Sequence, residues 1–285
     1  MNLMNFPSRG TKFRIIAAGC SEAMQTFNHG KGALALCERP DHWPARQFGK
    51  LYLLAEGVQG HAAGEVASRI AVETIPACYY DQEFPAEYLE DSMTPAGGIN
   101  SPLVRLQRAF FAAHTRIRRL STYQQEYAGM ATSCVAAVVR GNGLWVAHVG
   151  NCRAYLIRTL PSSQREMSCL TTDHSLIMRL VIIGELPPEQ ARRSPVRHIL
   201  LRALGGWEGN DPSPDFAVRE LRASDHVLLC SDGLWSTVSE KQMAQVVWDM
   251  PPQEACVELV RLAMEAGSTG NNSAIVLFLL KEGKV

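Results

Sequence analysis

The sequence lacks several features that would define its class directly. It has no C-x-x-C pair among its 8 cysteines, no low-complexity tract, and no apolar run near the roughly 20 residues that a membrane helix needs. It also has no excess charge of either sign, because 28 basic residues balance 28 acidic ones. These absences argue against a zinc finger, a disordered or fibrous chain and a membrane-spanning protein, and they disfavour nucleic acid or an anionic membrane as partners.

The amino terminus and the cysteines indicate a cellular compartment. Residues 1–9 show no charged start followed by an apolar core, so the sequence predicts a cytoplasmic protein rather than an exported one. The cysteines are dispersed, and most lie in apolar stretches such as residues 227–230. We therefore expect buried, reduced thiols.

The hydrophobic pattern predicts strands and helices in groups. Strand character covers residues 50–55, 132–140, 144–158, 226–230 and 274–280, and the turn 141–143 predicts a hairpin between the second and third runs. Helical periodicity covers residues 64–75, 102–119, 175–183, 188–193, 239–248 and 253–266. Ser239 predicts an N-cap for one of these helices, and Gly267 predicts the end of the last one.

This grouping favours one fold class over another. Strict alternation of strands and helices would indicate a doubly wound parallel sheet, whereas groups favour a layered α+β architecture. The 285 residues, of which 46% are hydrophobic, suffice for a large core, and no linker rich in Pro, Gly or Ser divides them. We expect a single domain over residues 1–285.

Three predicted strands end beside an acid or amide paired with glycine. The pairs are Glu56-Gly57, Gly150-Asn151 and Asp232-Gly233. Glycine allows a backbone carbonyl to approach as well, so such a pair can offer oxygen ligands to a hard cation. The same pairs are also ordinary turn formers, and a single one would favour a turn. Three in one chain make a cation site an equally good interpretation.

A series of longer motifs runs in one order along the chain. They are Ala55-Glu56-Gly57-Val58-Gln59-Gly60-His61, Met130-Ala131-Thr132-Ser133, Val149-Gly150-Asn151-Cys152-Arg153-Ala154-Tyr155, Leu170-Thr171-Thr172-Asp173-His174-Ser175, Leu228-Leu229-Cys230-Ser231-Asp232-Gly233-Leu234-Trp235 and Asn271-Asn272-Ser273-Ala274. They resemble the A-D-G-M-G-G-H, M-G-T-T, V-G-D-S-R-x-Y, L-T-x-D-H-S, S-D-G and D-N-x-T segments of bacterial metal-dependent protein phosphatases of the PPM family, type 2C. The resemblance covers about residues 17–280.

The resemblance implies a fold, a reaction and a metal centre. It implies two antiparallel sheets in a central sandwich flanked by helices, with a flap at about residues 182–197. Members of the family hydrolyse phosphoserine and phosphothreonine in proteins with a pair of Mg²⁺ or Mn²⁺ ions, whose bridging water attacks phosphorus. Six acids usually build that centre and an adjacent third-metal position, and an early arginine binds the substrate phosphate.

The early part of the family pattern is altered in this sequence. It best matches residues 25–30, which places Gln25 at the phosphate-binding arginine and His29 and Gly30 at an early Glu-Asp pair. A shift of a few residues would bring in Glu22 instead, and the tract 38–41 is a further source of acids. Loss of the arginine removes a bidentate grip on phosphate.

The later metal positions are altered as well. Glu56 stands at the bridging aspartate, Asn151 at the third-metal aspartate and Asn271 at the last aspartate, while Asp232 is unchanged. Two of the six acids therefore remain as carboxylates. Two divalent ions about 4 Å apart repel by on the order of 4 kcal/mol in water and about 16 kcal/mol at an effective dielectric constant of 20, and two carboxylates offset half of their charge.

From this deficit the sequence predicts a PPM-type pseudophosphatase that acts as a regulatory or phosphoprotein-binding module in signalling. The expected partner is a phosphoprotein or a protein kinase. Residual ligation by Glu56, Gly57, Asn151, Asp232 and Asn271 would hold one ion at most.

The alternative interpretation is an active Mn²⁺- or Mg²⁺-dependent serine/threonine protein phosphatase with an altered, mononuclear site. His29, Glu56 and Asp232 together would suit Mn²⁺, Fe²⁺ or Zn²⁺ better than Mg²⁺. His61 offers a phosphate contact or a general acid, or it is structural beside the helix that follows it.

Overall fold

Two antiparallel β-sheets form the centre of the structure, a computed structural model that describes residues 13–22, 32–37, 47–58, 63–81, 100–160, 162, 164–191, 194, 196 and 198–281. The first sheet has the strand order β1 (Phe13–Glu22), β11 (Asn272–Lys281), β10 (His226–Cys230), β6 (Arg153–Thr159) and β7 (Arg165–Cys169). The second has the order β2 (Gly32–Cys37), β3 (Lys50–Gly57), β4 (Ala131–Arg140), β5 (Gly143–Val149) and β9 (Asp215–Glu220), and β8 (Leu204–Gly205) pairs with β4.

Helices cover the outer face of each sheet. Helices α1 (Gly64–Tyr80) and α2 (Pro102–Tyr123) lie on the second sheet, and a short 3-10 turn, Gln125–Tyr127, follows α2. Helices α5 (Asp232–Thr237), α6 (Glu240–Asp249) and α7 (Pro252–Glu265) lie on the first sheet. Helices α3 (Leu176–Ile182) and α4 (Pro188–Ala191) belong to the connection between β7 and β8. The predicted α+β sandwich flanked by helices is confirmed. Within the described ranges, no helix is long and apolar enough to cross a membrane.

The core is divided by the sheets into layers. Along β3, Leu51 and Leu53 pack against the helices of the second sheet, whereas Tyr52 and Leu54 face the first sheet. This alternation follows from the two-residue period of a strand. Both faces of β3 and β4 are covered, so their sequences are nearly continuous apolar runs. These runs are the clearest strand signals in the sequence.

The predicted strand run at residues 144–158 divides at Gly150-Asn151, where a strand end was also predicted. It is two strands, and β5 belongs to the second sheet while β6 belongs to the first. The break lies at Gly150, whose φ of 96° is in the left-handed region. A Cβ at this position would stand 2.5 Å from the Ser133 Oγ, so glycine allows the chain to cross between the sheets here.

Two predicted helices are longer than their sequence patterns indicated. Helix α1 continues past Pro76 to Tyr80, and α2 continues to Tyr123. The last turn of α1 is tied to the loop before β3, because the Tyr79 hydroxyl donates to the Phe48 carbonyl at 2.7 Å. The predicted N-cap at Ser239 is confirmed, and it forms a capping box with Gln242.

The cysteines follow the prediction in part. All 8 are free thiols, and five are buried: Cys78, Cys134, Cys152, Cys230 and Cys256. Cys169 is exposed near the end of the edge strand β7, so the expectation of burial is wrong for it.

Candidate functional site

The two retained carboxylates meet at one end of the sandwich. Glu56 lies at the end of β3 in the second sheet, and Asp232 begins α5 directly after β10 of the first sheet. The backbone N–H of Asp232 donates to Glu56 Oε2 at 3.3 Å. Both residues are buried, and they line one cleft with Gly57, Ser133, Asn151 and His198.

Glycine is required where the chain turns into α5. A Cβ at Gly233 would lie 2.5 Å from the Asn271 carbonyl oxygen and 2.9 Å from the Asn272 Oδ1. The loop before β11 therefore packs directly on the first turn of α5. This contact places Asn271 beside the carboxylate pair.

Asn151 is held in the cleft from three sides. The Ser133 Oγ accepts hydrogen bonds from the backbone N–H of Asn151 at 3.0 Å and of Cys152 at 2.8 Å. The indole N–H of Trp235 donates to the Asn151 carbonyl at 2.9 Å. In this position the Asn151 Nδ2 donates to Asp232 Oδ2 at 3.1 Å.

The electrostatics of the carboxylate pair favour a proton on Glu56. Burial raises the pKa of Glu56 well above its usual range, and the neighbouring charge of Asp232 raises that pKa further. Backbone N–H groups of Asp232 and Asn271 donate to the Glu56 carboxylate and lower its pKa in part. A positive charge in the cleft would favour the ionised form of Glu56.

His198 is a cleft residue that the sequence did not identify. Its Nδ1 lies 3.4 Å from Asp232 Oδ2, and its side chain is 29% exposed. His198 follows directly after the predicted flap at about residues 182–197. The available signal was a histidine six residues before Leu204, which pairs with β4 together with Gly205.

The predicted site residues divide into two groups. Glu56, Gly57, Asn151 and Asp232 meet in the cleft, and Asn271 reaches it with its backbone N–H. Gln25, His29 and His61 lie outside the described residues, so their predicted roles stay predictions.

A second cluster of polar side chains lies beside the Gly150 loop. The rings of His148 and His174 stack with centroids 4.6 Å apart, and the His174 Nε2 lies 3.0 Å from Asp215 Oδ2. Because the Gly150 N–H donates to His174 Nδ1 at 3.2 Å, the other ring nitrogen carries the proton. Burial lowers the pKa of His174 to about 4, which keeps the ring neutral.

Arg202 occupies the open side of this second cluster. Its guanidinium lies 3.0 Å from Asp215 Oδ1 and 3.0 Å from the His174 Nε2. A fixed cation therefore already balances Asp215. The cluster braces the Gly150 loop, and no sequence pattern predicted it because its members come from four separate segments.

Comparison with known proteins agrees with this geometry. The family model for protein phosphatase 2C matches residues 200–272. The serine/threonine phosphatase stp of Listeria monocytogenes is 32% identical over 222 residues, which cover 77% of this chain and 78% of that protein. The chain belongs to the PP2C (PPM) family.

Other PP2C relatives and solved structures extend the likeness. Mycobacterium tuberculosis PstP is 32% identical over 80% of this chain, but the chain spans only 40% of the length of PstP. A crystal structure of the PstP catalytic domain in complex with 2 manganese ions matches 94% of this chain at 27% identity, with a TM-score of 0.72, and covers 100% of that domain. The crystal structure of Staphylococcus aureus Stp1 is similar at 25% identity, with a TM-score of 0.76. The alignment covers 99% of this chain and 100% of the Stp1 chain.

A manganese pair of the kind bound by PstP does not fit the residues of this cleft. Among the described residues that line it, Glu56 and Asp232 are the only carboxylates. Asn151 turns an N–H donor, not an oxygen, toward Asp232. Since Mg²⁺ and Mn²⁺ prefer charged oxygen ligands, the described residues of the cleft supply too little negative charge and too few oriented oxygens for two such ions.

Proposed function

We propose that this PP2C-family chain is a pseudophosphatase, which keeps the phosphatase scaffold and acts by binding. The observation that carries the proposal is the 3.1 Å hydrogen bond from Asn151 Nδ2 to Asp232 Oδ2. In a metal centre, an oxygen of residue 151 would point at a cation. Here the amide N–H satisfies the carboxylate directly, so the site closes without one.

Charge supports the same proposal. Burial and the neighbouring charge of Asp232 raise the pKa of Glu56, which favours its neutral form. His198 and Asn151 both approach the same oxygen of Asp232. Protein groups thus meet part of the hydrogen-bonding capacity of these carboxylates, and a neutral Glu56 leaves less negative charge than a two-ion centre needs.

The binding role is proposed for a phosphoprotein or protein kinase partner in cytoplasmic signalling. The named relatives are serine/threonine phosphatases, and a scaffold of this shape with a weakened metal centre could still recognise phosphoproteins. We propose that residues 1–285 form one functional domain and that the flap at about 182–197 borders the recognition surface. A protein with this role should retain its partner in a pull-down after Asp232→Ala.

Turnover measurements test the proposal directly. The full chain should show negligible hydrolysis of p-nitrophenyl phosphate and of a phosphothreonine peptide in millimolar Mn²⁺ or Mg²⁺, while a PstP catalytic domain in the same assay provides the positive control. Mn²⁺-dependent turnover that Asp232→Ala abolishes would contradict the proposal. It would favour the active enzyme with an altered metal site, the alternative that the two buried carboxylates keep open.

A further inference from the structure

A buried arginine near the start of α2 has neutral partners. Arg105 is 4% exposed. Its Nη1 donates to the Tyr79 carbonyl at 2.6 Å, and its Nη2 donates to Asn100 Oδ1 at 3.3 Å. Its Cζ lies 3.5 Å from the centroid of the Phe48 ring. These groups orient the guanidinium but carry no negative charge to balance it.

Two more arginines lie beside Arg105. Asn100 connects Arg105 to Arg140, because its side-chain oxygen accepts from Arg105 and its backbone carbonyl accepts from the Arg140 Nη1 at 3.4 Å. Arg108 follows Arg105 by three residues, which places both on one side of α2. In the part of the chain that the structure describes, no carboxylate forms an ion pair with any of these three arginines.

The electrostatics of this arginine cluster (Arg105, Arg108 and Arg140) favour an anion. Burial lowers the pKa of Arg105, and the positive charges of Arg108 and Arg140 lower it further. The Arg105 Nε is also buried and has no hydrogen-bond partner among the residues that the structure covers. An anion at this place would offset the charge and supply an acceptor for the free N–H.

We propose that the arginine cluster binds a phosphate group beside the amino-terminal end of α2. A carboxylate brings one negative charge, whereas a phosphate monoester brings about two and has three acceptor oxygens for the guanidinium groups. Arg140 and Asn100 are exposed and Arg108 is half-buried, so a phosphate can approach from solvent.

The helix end supports the same ligand. Ser101 is the N-cap of α2, its side chain makes no capping hydrogen bond, and no acidic residue lies in the first turn. The unpaired backbone N–H groups of a first turn and the positive end of the helix dipole both favour an anion. Helix and arginines thus present positive charge to one place.

This phosphate site is separate from the cleft. Arg140 ends β4, whereas Ser133, which lines the cleft, lies near the start of the same strand. The seven residue steps between them, at about 3.3 Å each, span about 23 Å. A phosphate group held by the arginines therefore lies away from Glu56 and Asp232.

The phosphate group can come from a phosphorylated side chain of a partner protein or from a free phosphate. The first source rests on the proposed function, because it gives the phosphoprotein-binding role a location. Either source uses the same three guanidinium groups. The two are distinguished by comparing a phosphopeptide with inorganic phosphate.

The test is a titration of the full chain at neutral pH and low ionic strength in EDTA, which prevents metal-dependent hydrolysis. A fluorescein-labelled phosphothreonine peptide should bind, with anisotropy as the readout, and its unphosphorylated form should not. Inorganic phosphate should displace the peptide. A peptide that binds more tightly than inorganic phosphate assigns the site to a phosphoprotein, and equal affinities assign it to a free phosphate.

A double variant tests the residues. Arg108→Gln combined with Arg140→Gln should weaken binding of the peptide and of phosphate at least about tenfold, since hydrogen bonds between charged groups have that weight. Arg69→Gln combined with Arg119→Gln is the matched control, because it removes the same charge from exposed positions of α1 and α2. The control should bind as the unaltered chain does. Circular dichroism establishes that each variant is folded.

Two results would overturn the inference. One is the absence of peptide and phosphate binding up to millimolar concentrations, which would mean that the cluster is neutralised within the chain, for example by the acids of the sequence 83–91. The other is an equal loss of binding in the two double variants, which would reduce the effect to net charge. Turnover with Mn²⁺ would contradict the pseudophosphatase and leave this site standing, so the two proposals fail separately.

Discussion

The side-chain amide of Asn151 donates a hydrogen bond to Asp232 across the cleft, with 3.1 Å between Nδ2 and Oδ2. The corresponding motifs of the PPM family carry an aspartate at both positions. With two aspartates, the charges would repel and a cation would have to hold them together. With one asparagine, the two side chains attract each other, and the end of the sandwich closes by itself.

Asn151→Asp should make folding depend on cations. Without divalent ions, the variant places a second carboxylate beside Asp232 and should lose about 2–3 kcal/mol in the free energy of unfolding. Millimolar Mn²⁺ should restore part of that loss. Urea denaturation with and without Mn²⁺ measures both effects.

Asn142→Asp provides the control for that substitution. The Asn142 Nδ2 also donates to a carboxylate, that of Glu220 at 2.9 Å, but this hydrogen bond is exposed. Solvent screening should limit its loss to about 1 kcal/mol or less, with no response to Mn²⁺. Equal losses at the two positions would show that burial of the Asn151–Asp232 bond has no particular weight.

Glu56→Gln should stabilise the metal-free protein at neutral pH. The pKa of Glu56 is raised in the folded state by burial and by Asp232, so the unfolded state releases this proton first as pH rises. The raised pKa therefore lowers the free energy of unfolding at pH values above 4.5, the ordinary pKa of a glutamate side chain. Glutamine does not ionise, so it avoids this loss, and its carbonyl oxygen can still accept the hydrogen bond from the Asp232 N–H. Denaturation between pH 5 and 8 measures the difference.

The exposed residue Glu208 supplies the comparison for Glu56, since Glu208→Gln removes a carboxylate from the surface and should leave the free energy of unfolding at neutral pH unchanged. A Glu56→Gln variant less stable than the unaltered chain would mean that a cation balances the ionised carboxylate in solution.

His226→Phe should reduce the sensitivity of the protein to acid. The His226 ring lies between Trp248 and Phe278, its Nδ1 has no hydrogen-bond partner among the residues that the structure describes, and burial lowers its pKa from 6.5 to about 4. The unfolded chain therefore takes up a proton below pH 6.5 that the folded chain refuses until about pH 4, so stability falls as pH drops through this window. The phenylalanine variant should show a shallower fall in melting temperature between these two pH values. An unchanged slope would contradict the assignment.

Arg153→Ala should be strongly destabilising. The Arg153 guanidinium makes two hydrogen bonds to Asp173, at 2.8 and 2.7 Å, and lies 3.4 Å above the Trp235 ring. Its removal leaves Asp173 buried without a partner, which should cost about 3–5 kcal/mol. Chemical denaturation followed by tryptophan fluorescence measures that loss.

Arg165→Ala is the exposed counterpart of Arg153→Ala. Arg165 also pairs with an aspartate, Asp249, and lies 4.6 Å above a tryptophan ring, but both charged side chains are about half exposed. It should cost about 1 kcal/mol or less. Comparable losses for the two arginines would contradict the importance of burial at Arg153.

The residues of the site could be predicted from the sequence more accurately than the course of the chain between the two sheets. Glu56 and Asp232 could be predicted together because each follows an apolar run and borders a glycine. The division of residues 144–158 between two sheets could not, because it depends on the space beside Ser133 that only the folded chain defines. His198 was missed for a related reason, since its partner Asp232 is 34 residues away and no local pattern joins them.

Because the chain crosses between the sheets at Gly150, the cleft lies where the two sheets are connected. Glu56 is fixed to one sheet, Asp232 to the other, and Asn151 to the short link that runs between them. A molecule or ion bound there would clamp the two sheets to each other. Slower amide hydrogen exchange at the ends of β5 and β6 that lie away from Gly150 would be the direct sign of that restraint.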